Sequence, residues 1–388
     1  MQTNQDAIAA GSEVRTTWVE VNLDHLKHNL QEIKKKVAPS KIMLVVKANA
    51  YGHGLVEVAK ALSGMTDYVG VALLEEGVLL RNLGITAPII ALGGIWGAQI
   101  ARYLQHDLTM TAASVERLLQ IDDAARQSGL KAKVHLKIDT GMERLGVHYY
   151  SAHRLQEAAL KCRHVEVEGI FSHLANADSR DLTHARLQLE RFQEVLRFYE
   201  RRSLPMPVRH IANSAAVLQL PESWLDMVRP GIMLYGVYPS PETERTVAVK
   251  PALSWKSRVV YFKVVKAGHP VSYGSTWQSD HDVRVVTIPA GYGDGYFRKM
   301  SNKARVLIHG KTYRQVGAIC MDQIMINIEN DSAFNGDEAV LLGNSGDECI
   351  TVENLAEWAE TIPYEILTNI NNRVPRIYSG SFQQAAPE

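Results

Sequence analysis

Through about residue 240, short apolar runs alternate with amphipathic stretches, and this alternation constrains the chain more than any other feature. Each repeat reads as a strand followed by a helix. From a first strand at Ile42 to Val46, further candidates follow at 68–73 (YVGVAL), 88–92 (PIIAL), 108–112 (LTMTA), 134–138 (VHLKI), 167–171 (VEGIF), 208–212 (VRHIA) and 227–235. Helical stretches separate most of them. Ser114 to Gln127 is one, and Thr183 to Tyr199, with Leu189, Phe192, Leu196 and Tyr199 on one stripe, is another. Ahead of the first strand, Asp24 is placed to cap a helix whose Leu26, Leu30, Ile33 and Val37 recur at helical spacing. Eight such units in about 200 residues predict an α/β fold of the (β/α)8 barrel type, with a doubly wound open sheet as the alternative.

Past Pro251 the texture changes to strand-like runs with tight turns, and helical pattern is nearly absent until Val352 to Glu360. The polar segment SPETERTVAV reads as the connection. The expected organisation is an N-terminal extension at 1–16, a barrel at 17–245 and a mostly β C-terminal domain at 246–388. Forty-two basic residues balance 42 acidic ones, so net charge argues for neither nucleic acid nor an anionic membrane. Three widely spaced cysteines, Cys162, Cys320 and Cys349, form neither a disulfide framework nor a metal cluster, and no run has membrane-spanning length. A cytoplasmic protein without a metal is the expectation.

In a (β/α)8 barrel the reactive groups sit at the C-terminal ends of the strands. There the chain places Lys47, Asp139 with Arg144, His173, Asn213 with Ser214, and Arg229 with Gly231. An ammonium at the end of a buried strand either escapes to water or serves as a nucleophile or Schiff-base partner, and KIMLVVKANAYGHG by itself leaves both open. Asn213 and Ser214 open a helix-like stretch whose N–H groups favour an anion, and Gly231 permits close backbone approach. A Schiff-base lysine facing a phosphate site suggests pyridoxal 5'-phosphate.

VVKANAYGHG, HLKIDTGMERLG, HIANSAA, MVRPGIMLYG, VSYGSTW, GYGDGY and GAICMDQ, in that order, resemble the alanine racemase family over nearly the whole chain, from about Trp18 to Arg376. The resemblance implies a barrel plus a β domain, bound pyridoxal 5'-phosphate, a small amino-acid substrate, and a head-to-tail homodimer with shared active sites. It makes Lys47 the cofactor-holding lysine and Tyr273, from the partner subunit, the second catalytic base. Tyr51, Ser214, Gly231 and Ile232, beside Asn213, match the phosphate site, and Arg229 matches the arginine facing the pyridine nitrogen, supported by His173. Arg144 and the Met321 backbone match the substrate carboxylate site, Tyr292 the substrate entrance, and Lys137 a lysine carbamylated in relatives.

These roles make chemical sense. Racemisation removes a proton from one face of Cα and returns one on the other, which two opposed bases do better than one. A phenol needs a neighbouring cation, here Arg144, to act as a base near neutrality. A guanidinium at the ring nitrogen leaves that nitrogen unprotonated and restrains side reactions. One departure bears on substrate. Asn372 stands just before RVPR, where a number of family members have tyrosine, which predicts a roomier, more polar pocket and turnover of serine alongside alanine. The competing readings are a barrel protein that carries pyridoxal phosphate without turnover, disfavoured by the β domain with Tyr273, and an amino-acid decarboxylase, disfavoured by Arg229.

Overall fold

A computed structural model describes residues 15–380, so most of the N-terminal extension, 1–14, lies outside the described residues. Among the described residues the chain forms two compact units, one of residues 26–50 and 55–250, the other of residues 15–25, 51–54 and 251–380.

The chain enters through a strand of the second unit, β1 (Trp18–Asn22). Among the described residues the first unit then supplies eight parallel barrel strands, β2 (Lys41–Val45), β3 (Tyr68–Val71), β4 (Ile89–Ala91), β5 (Met110–Ala112), β6 (Ala132–Asp139), β7 (Val165–Phe171), β8 (Val208–His210) and β9 (Met227–Val228), with the two-residue strand Val147–His148 paired beside β6. Two four-membered runs, β9-β2-β3-β4 and β5-β6-β7-β8, are joined by backbone bonds at both seams. Ala91 N–H donates to Thr109 O at 3.1 Å at one seam, and Arg229 N–H donates to Ala212 O at 3.0 Å at the other, which closes the barrel. Strands such as Ile42–Val46 are buried on both faces, which is why they read as continuous apolar runs. The helices cover them outside. Ser114 caps Val115–Ser128 by accepting from Arg117 N–H at 3.0 Å, and Thr183–Arg201 buries its Leu189, Phe192, Leu196 and Tyr199 stripe. Fully burying one such side chain contributes about 1.5–3 kcal/mol.

The second unit is built on one ten-stranded sheet. In chain order it adds β10 (Leu253–Arg258), β11 (Tyr261–Val265), β12 (Val283–Ile288), β13 (Arg305–Ile308), β14 (Lys311–Val316), β15 (Ile324–Glu329), β16 (Glu338–Ser345), β17 (Glu348–Ile350) and β18 (Arg376–Ser379). The sheet order is β11-β12-β15-β14-β13-β16-β10-β1-β18, with β17 paired to β16. Trp18–Asn22 thus lies between β10, antiparallel with Val19 opposite Trp255, and β18, parallel with Val19 opposite Arg376. Its alternating pattern suits any sheet with one buried face, and only backbone pairing selects this one. Two local expectations change. The helix Leu23–Val37 is capped by Asn22, whose Oδ1 accepts from His25 N–H at 3.0 Å, whereas Asp24 lies in its first turn. A further helix, Pro363–Asn369, follows Val352–Ala359, with proline at its start where a missing N–H is harmless.

Candidate active site

Lys47 leaves the barrel just past β2, beyond Val46, whose N–H still bonds Gly70 O at 2.9 Å. The backbone then turns left-handed. Ala48, Asn49, Ala50 and Tyr51 have φ of 53, 55, 52 and 53°, none of them glycine. Each such residue costs on the order of 1–2 kcal/mol, so the turn must be held. Glu76 Oε1 accepts Ala48 N–H at 2.7 Å, while its Oε2 accepts Ala72 and Leu73 N–H at 2.8 and 3.2 Å. Asn49 Oδ1 takes Leu55 N–H at 2.8 Å, capping the next helix. Burial holds the Lys47 ammonium below its usual range, helped by the charges of Arg144 and Arg229 and opposed by Glu76.

Arg229 is a buried charge at this end of the barrel. Its Nη1 donates to His210 Nδ1 at 2.9 Å, and its Nη2 to Ser172 O, His173 Nδ1 and Ile211 O at 2.8, 3.1 and 3.1 Å. All four acceptors are neutral: burial, then the Arg229 charge, pushes both His173 and His210 well below the usual imidazole range. Burial pulls Arg229 down as well, but a guanidinium stays charged at neutral pH. Buried Lys137 lies with its Nζ 5.0 Å from the Phe171 ring centre, and burial followed by the Arg229 charge brings it to about 7. Arg144 is exposed, and its N–H joins those of Gly141 and Met142 on the buried Asp139 carboxylate. Burial works against that carboxylate's charge, yet the backbone donors keep it below its usual range.

Asn213 caps the short helix Ser214–Gln219, accepting from Ala216 N–H at 3.1 Å. Ser214 Oγ accepts from Gly231 N–H at 2.8 Å, which ties this helix start to the turn carrying Gly231 and Ile232. The barrel unit therefore gathers Lys47, Arg144, His173, Asn213, Ser214, Arg229, Gly231 and Ile232 on the segments that follow its strands, with Lys137 near the C-terminal end of β6 itself.

The remaining expected residues belong to the β-rich unit. Tyr51 is buried, its ring 6.2 Å from that of Tyr364, and burial pushes its phenol upward. Next to it, Gly52 has φ of 81°, and a Cβ there would stand 2.0 Å from Leu367 O. Tyr273 is 72% exposed on the excursion between β11 and β12, beside a cavity of about 710 Å³ bordered also by Cys320 and Met325. Tyr292 N–H donates to Cys320 O at 3.1 Å and Gly293 N–H to Met321 O at 2.9 Å, which stitches the GYGDG turn to Met321. Beneath them the fully buried Asp294 carboxylate accepts from Arg15, from Arg373 Nε at 2.7 Å and from Gly291 N–H at 3.0 Å. Asn372, next to Arg373, is exposed in a turn.

Two family models match the chain: alanine racemase, N-terminal domain, over residues 21–239, and alanine racemase, C-terminal domain, over 252–378. The chain belongs to the alanine racemase family. An alanine racemase of Carboxydothermus hydrogenoformans is 46% identical over 94% of this chain and 100% of that protein. The crystal structure of alanine racemase from D-cycloserine-producing Streptomyces lavendulae superposes with a TM-score of 0.91 at 37% identity, covering 95% of this chain and 98% of that one. A histidine racemase from Leuconostoc mesenteroides subsp. sake gives 0.86 at 30% identity, covering 94% and 98%. The barrel with a mostly β C-terminal domain, expected from the strand and helix alternation and from the motifs, is thereby borne out.

Sequence reasoning does not single out Glu76, His210 or Asp294. Each carries a faint signal: Glu76 occupies the third position of a helix, where an acid reaches back to backbone donors; His210 interrupts an apolar strand; Asp294 lies inside GYGDGY.

Proposed function

We propose that this chain interconverts L- and D-alanine with pyridoxal 5'-phosphate, moving the Cα proton between Lys47 on one face and Tyr273 of the partner subunit on the other. The observation that carries this is Arg229, a buried guanidinium whose four acceptors are all neutral, on the same barrel end as a lysine of lowered pKa. A buried charge without a counter-charge is costly, and an anionic ligand with an acceptor nitrogen relieves it. The residues fit the cofactor: Lys47 would hold it, Arg229 with His173 behind it would face the ring nitrogen, and Tyr51, Asn213, Ser214, Gly231 and Ile232 would receive the phosphate. When bound, the cofactor withdraws electrons from the amino acid joined to it and so acidifies the Cα proton.

The chain's own groups do the rest. Lys47, held below the usual ammonium range, has an amine able to take or return that proton near neutrality. Arg144, on the loop that Asp139 anchors, would bind the substrate carboxylate with the Met321 backbone, while Tyr292 narrows the entrance. Lys137, close to neutral at physiological pH, is a candidate for carbamylation, in which its amine adds to CO2 with loss of a proton to water. Support for a homodimer comes from the β-rich unit, where Tyr273, Tyr261, Phe262 and Val264 are exposed together along one strand and its following loop. Among the described residues no helix is long and apolar enough to cross a membrane, and Cys162, Cys320 and Cys349 are unpaired, which suits a reducing cytoplasm.

Asn372, in place of a bulkier phenol, favours some serine turnover, and the histidine racemase relative shows that this fold serves other amino acids. A decarboxylase of similar barrel type remains the competing reading, against which Arg229 speaks. Loss of optical rotation from L-alanine without CO2 release, in the presence of pyridoxal phosphate, tests the proposal. Release of CO2, or an unchanged rotation, overturns it.

A further inference from the structure

Barrels of this kind are filled by layers of apolar side chains, and one row of this one is not. Residues at alternate positions of a strand share a face, so Lys133, His135, Lys137 and Asp139 of β6 form a single stripe. His135 is fully buried, and its Nδ1 lies 2.8 Å from His210 Nε2. His210 Nδ1 in turn lies 2.9 Å from Arg229 Nη1. On its other side His135 Nε2 makes no hydrogen bond and stands 3.9 Å from Glu168 Oε2.

The direction of each proton follows from the one member that cannot change. A guanidinium only donates, so His210 Nδ1 must accept and its proton sits on Nε2. That N–H donates to His135 Nδ1, which places the His135 proton on Nε2, facing Glu168. At 3.9 Å the carboxylate acts through its charge: it favours an N–H at Nε2 and disfavours a lone pair there. Burial pushes the Glu168 carboxyl up, as do the nearby charges of Glu166 and Asp107, whereas the Thr109 hydroxyl, donating at 3.0 Å, and the Lys133 charge favour its ionised form.

The backbone is shaped around this row. Val134 pairs with Val167 and His135 with Gly169, so Glu168 is the extra residue of a β-bulge, a device that re-aims a side chain. At Gly169 a Cβ would come within 2.5 Å of His135 Nδ1. Phe171 stacks on His210 with ring centres 4.8 Å apart and planes 4° from parallel, which fixes the imidazole plane. The bulge, the missing Cβ and the stacked ring are three separate features serving the same two imidazoles.

We propose that Glu168 is a positioning residue for Arg229, acting through His135 and His210: its charge at His135 Nε2 reinforces the Nε2–H tautomers that the guanidinium requires, so that a lone pair and not an N–H faces Arg229. The consequence for racemisation rests on the function proposed above, in which Arg229 faces the cofactor ring, but the tautomer assignment does not. The test is 15N NMR of histidine-labelled protein, as purified and after loading with pyridoxal phosphate, with His135→Gln and His210→Gln giving the assignments. In the wild type both residues should show neutral Nε2–H imidazoles. Glu168→Gln, which keeps the shape and the Thr109 contact, should shift His135 to mixed tautomers. It should also move the absorbance of the loaded protein and lower kcat with KM unchanged. Gly169→Ala, which pushes the His135 ring aside and leaves Glu168 in place, should produce the same spectral change. An Nδ1–H or protonated His210 in the wild type overturns the proposal even if neither variant folds. Tautomers unmoved in a folded Glu168→Gln protein overturn it too. Altered tautomers in a protein that does not racemise alanine would sink the functional reading and leave this one standing.

Discussion

Glu76 bears the heaviest single load at the lysine turn, and its replacement gives the sharpest test of how that turn is held. Its two carboxylate oxygens serve different segments, Oε1 taking Ala48 N–H and Oε2 taking Ala72 and Leu73 N–H. A hydrogen bond to a charged group contributes about 1.5–3 kcal/mol. Losing the Ala48 bond removes that much from a segment whose four left-handed residues each cost on the order of 1–2 kcal/mol. The turn is then expected to relax and carry Lys47 out of place. In Glu76→Ala the affinity for pyridoxal phosphate should fall roughly ten- to hundredfold, since 1.4 kcal/mol is about tenfold. The urea midpoint should fall as well. Glu76→Gln should not restore binding, because an amide has one acceptor oxygen and cannot serve both segments. The assay is cofactor titration by absorbance, with borohydride reduction and peptide mapping to locate the adduct at Lys47. Affinity within twofold of wild type in Glu76→Ala, with the adduct still on Lys47, would refute the reasoning.

Lys137, held to about 7 when folded and near 10.5 when unfolded, makes the unfolded state bind more protons between those values. Stability should therefore rise with pH across that window by about 1.4 kcal/mol per pH unit from this group. In CO2-free buffer, Lys137→Met should flatten that part of the urea-stability profile, and an unchanged slope would count against the burial argument. Tyr273→Phe removes only an exposed hydroxyl, so it should leave the thermal midpoint within about 1 °C while abolishing most racemisation; full activity would exclude a phenol base. Asn372→Tyr should lower the serine-to-alanine ratio of kcat/KM, and an equal ratio in both proteins would remove this residue from substrate choice.

How far the amino-acid sequence reached depended on whether the relevant physics was local. Strand and helix alternation up to about residue 240 pointed to a barrel ahead of a doubly wound sheet because each element's period is written in its own residues. The chemistry at strand ends was legible for the same reason: Lys47, Asp139, His173, Asn213 and Arg229 each follow an apolar run directly. The helical stretch expected from Ser114 to Gln127 was likewise foreseeable from a few adjacent residues, and it forms over Val115–Ser128. Tyr273 and Asn372 were visible only through resemblance to a family.

Other features needed partners distant in the chain. Trp18–Asn22 has an alternation that fits either unit, and pairing with Leu253–Arg258 and Arg376–Ser379 settled its sheet. The left-handed turn after Lys47 contradicts the preferences of its own residues and exists because Glu76, 28 residues away from Ala48, holds it. Arg229 lies 19 residues from His210, and His210 lies 75 from His135. The sequence by itself thus determined which elements form and which reactive groups end them. Tertiary structure alone decided which neutral groups surround the buried guanidinium and where the protons between them lie, because those depend on contacts between strands that no local pattern encodes.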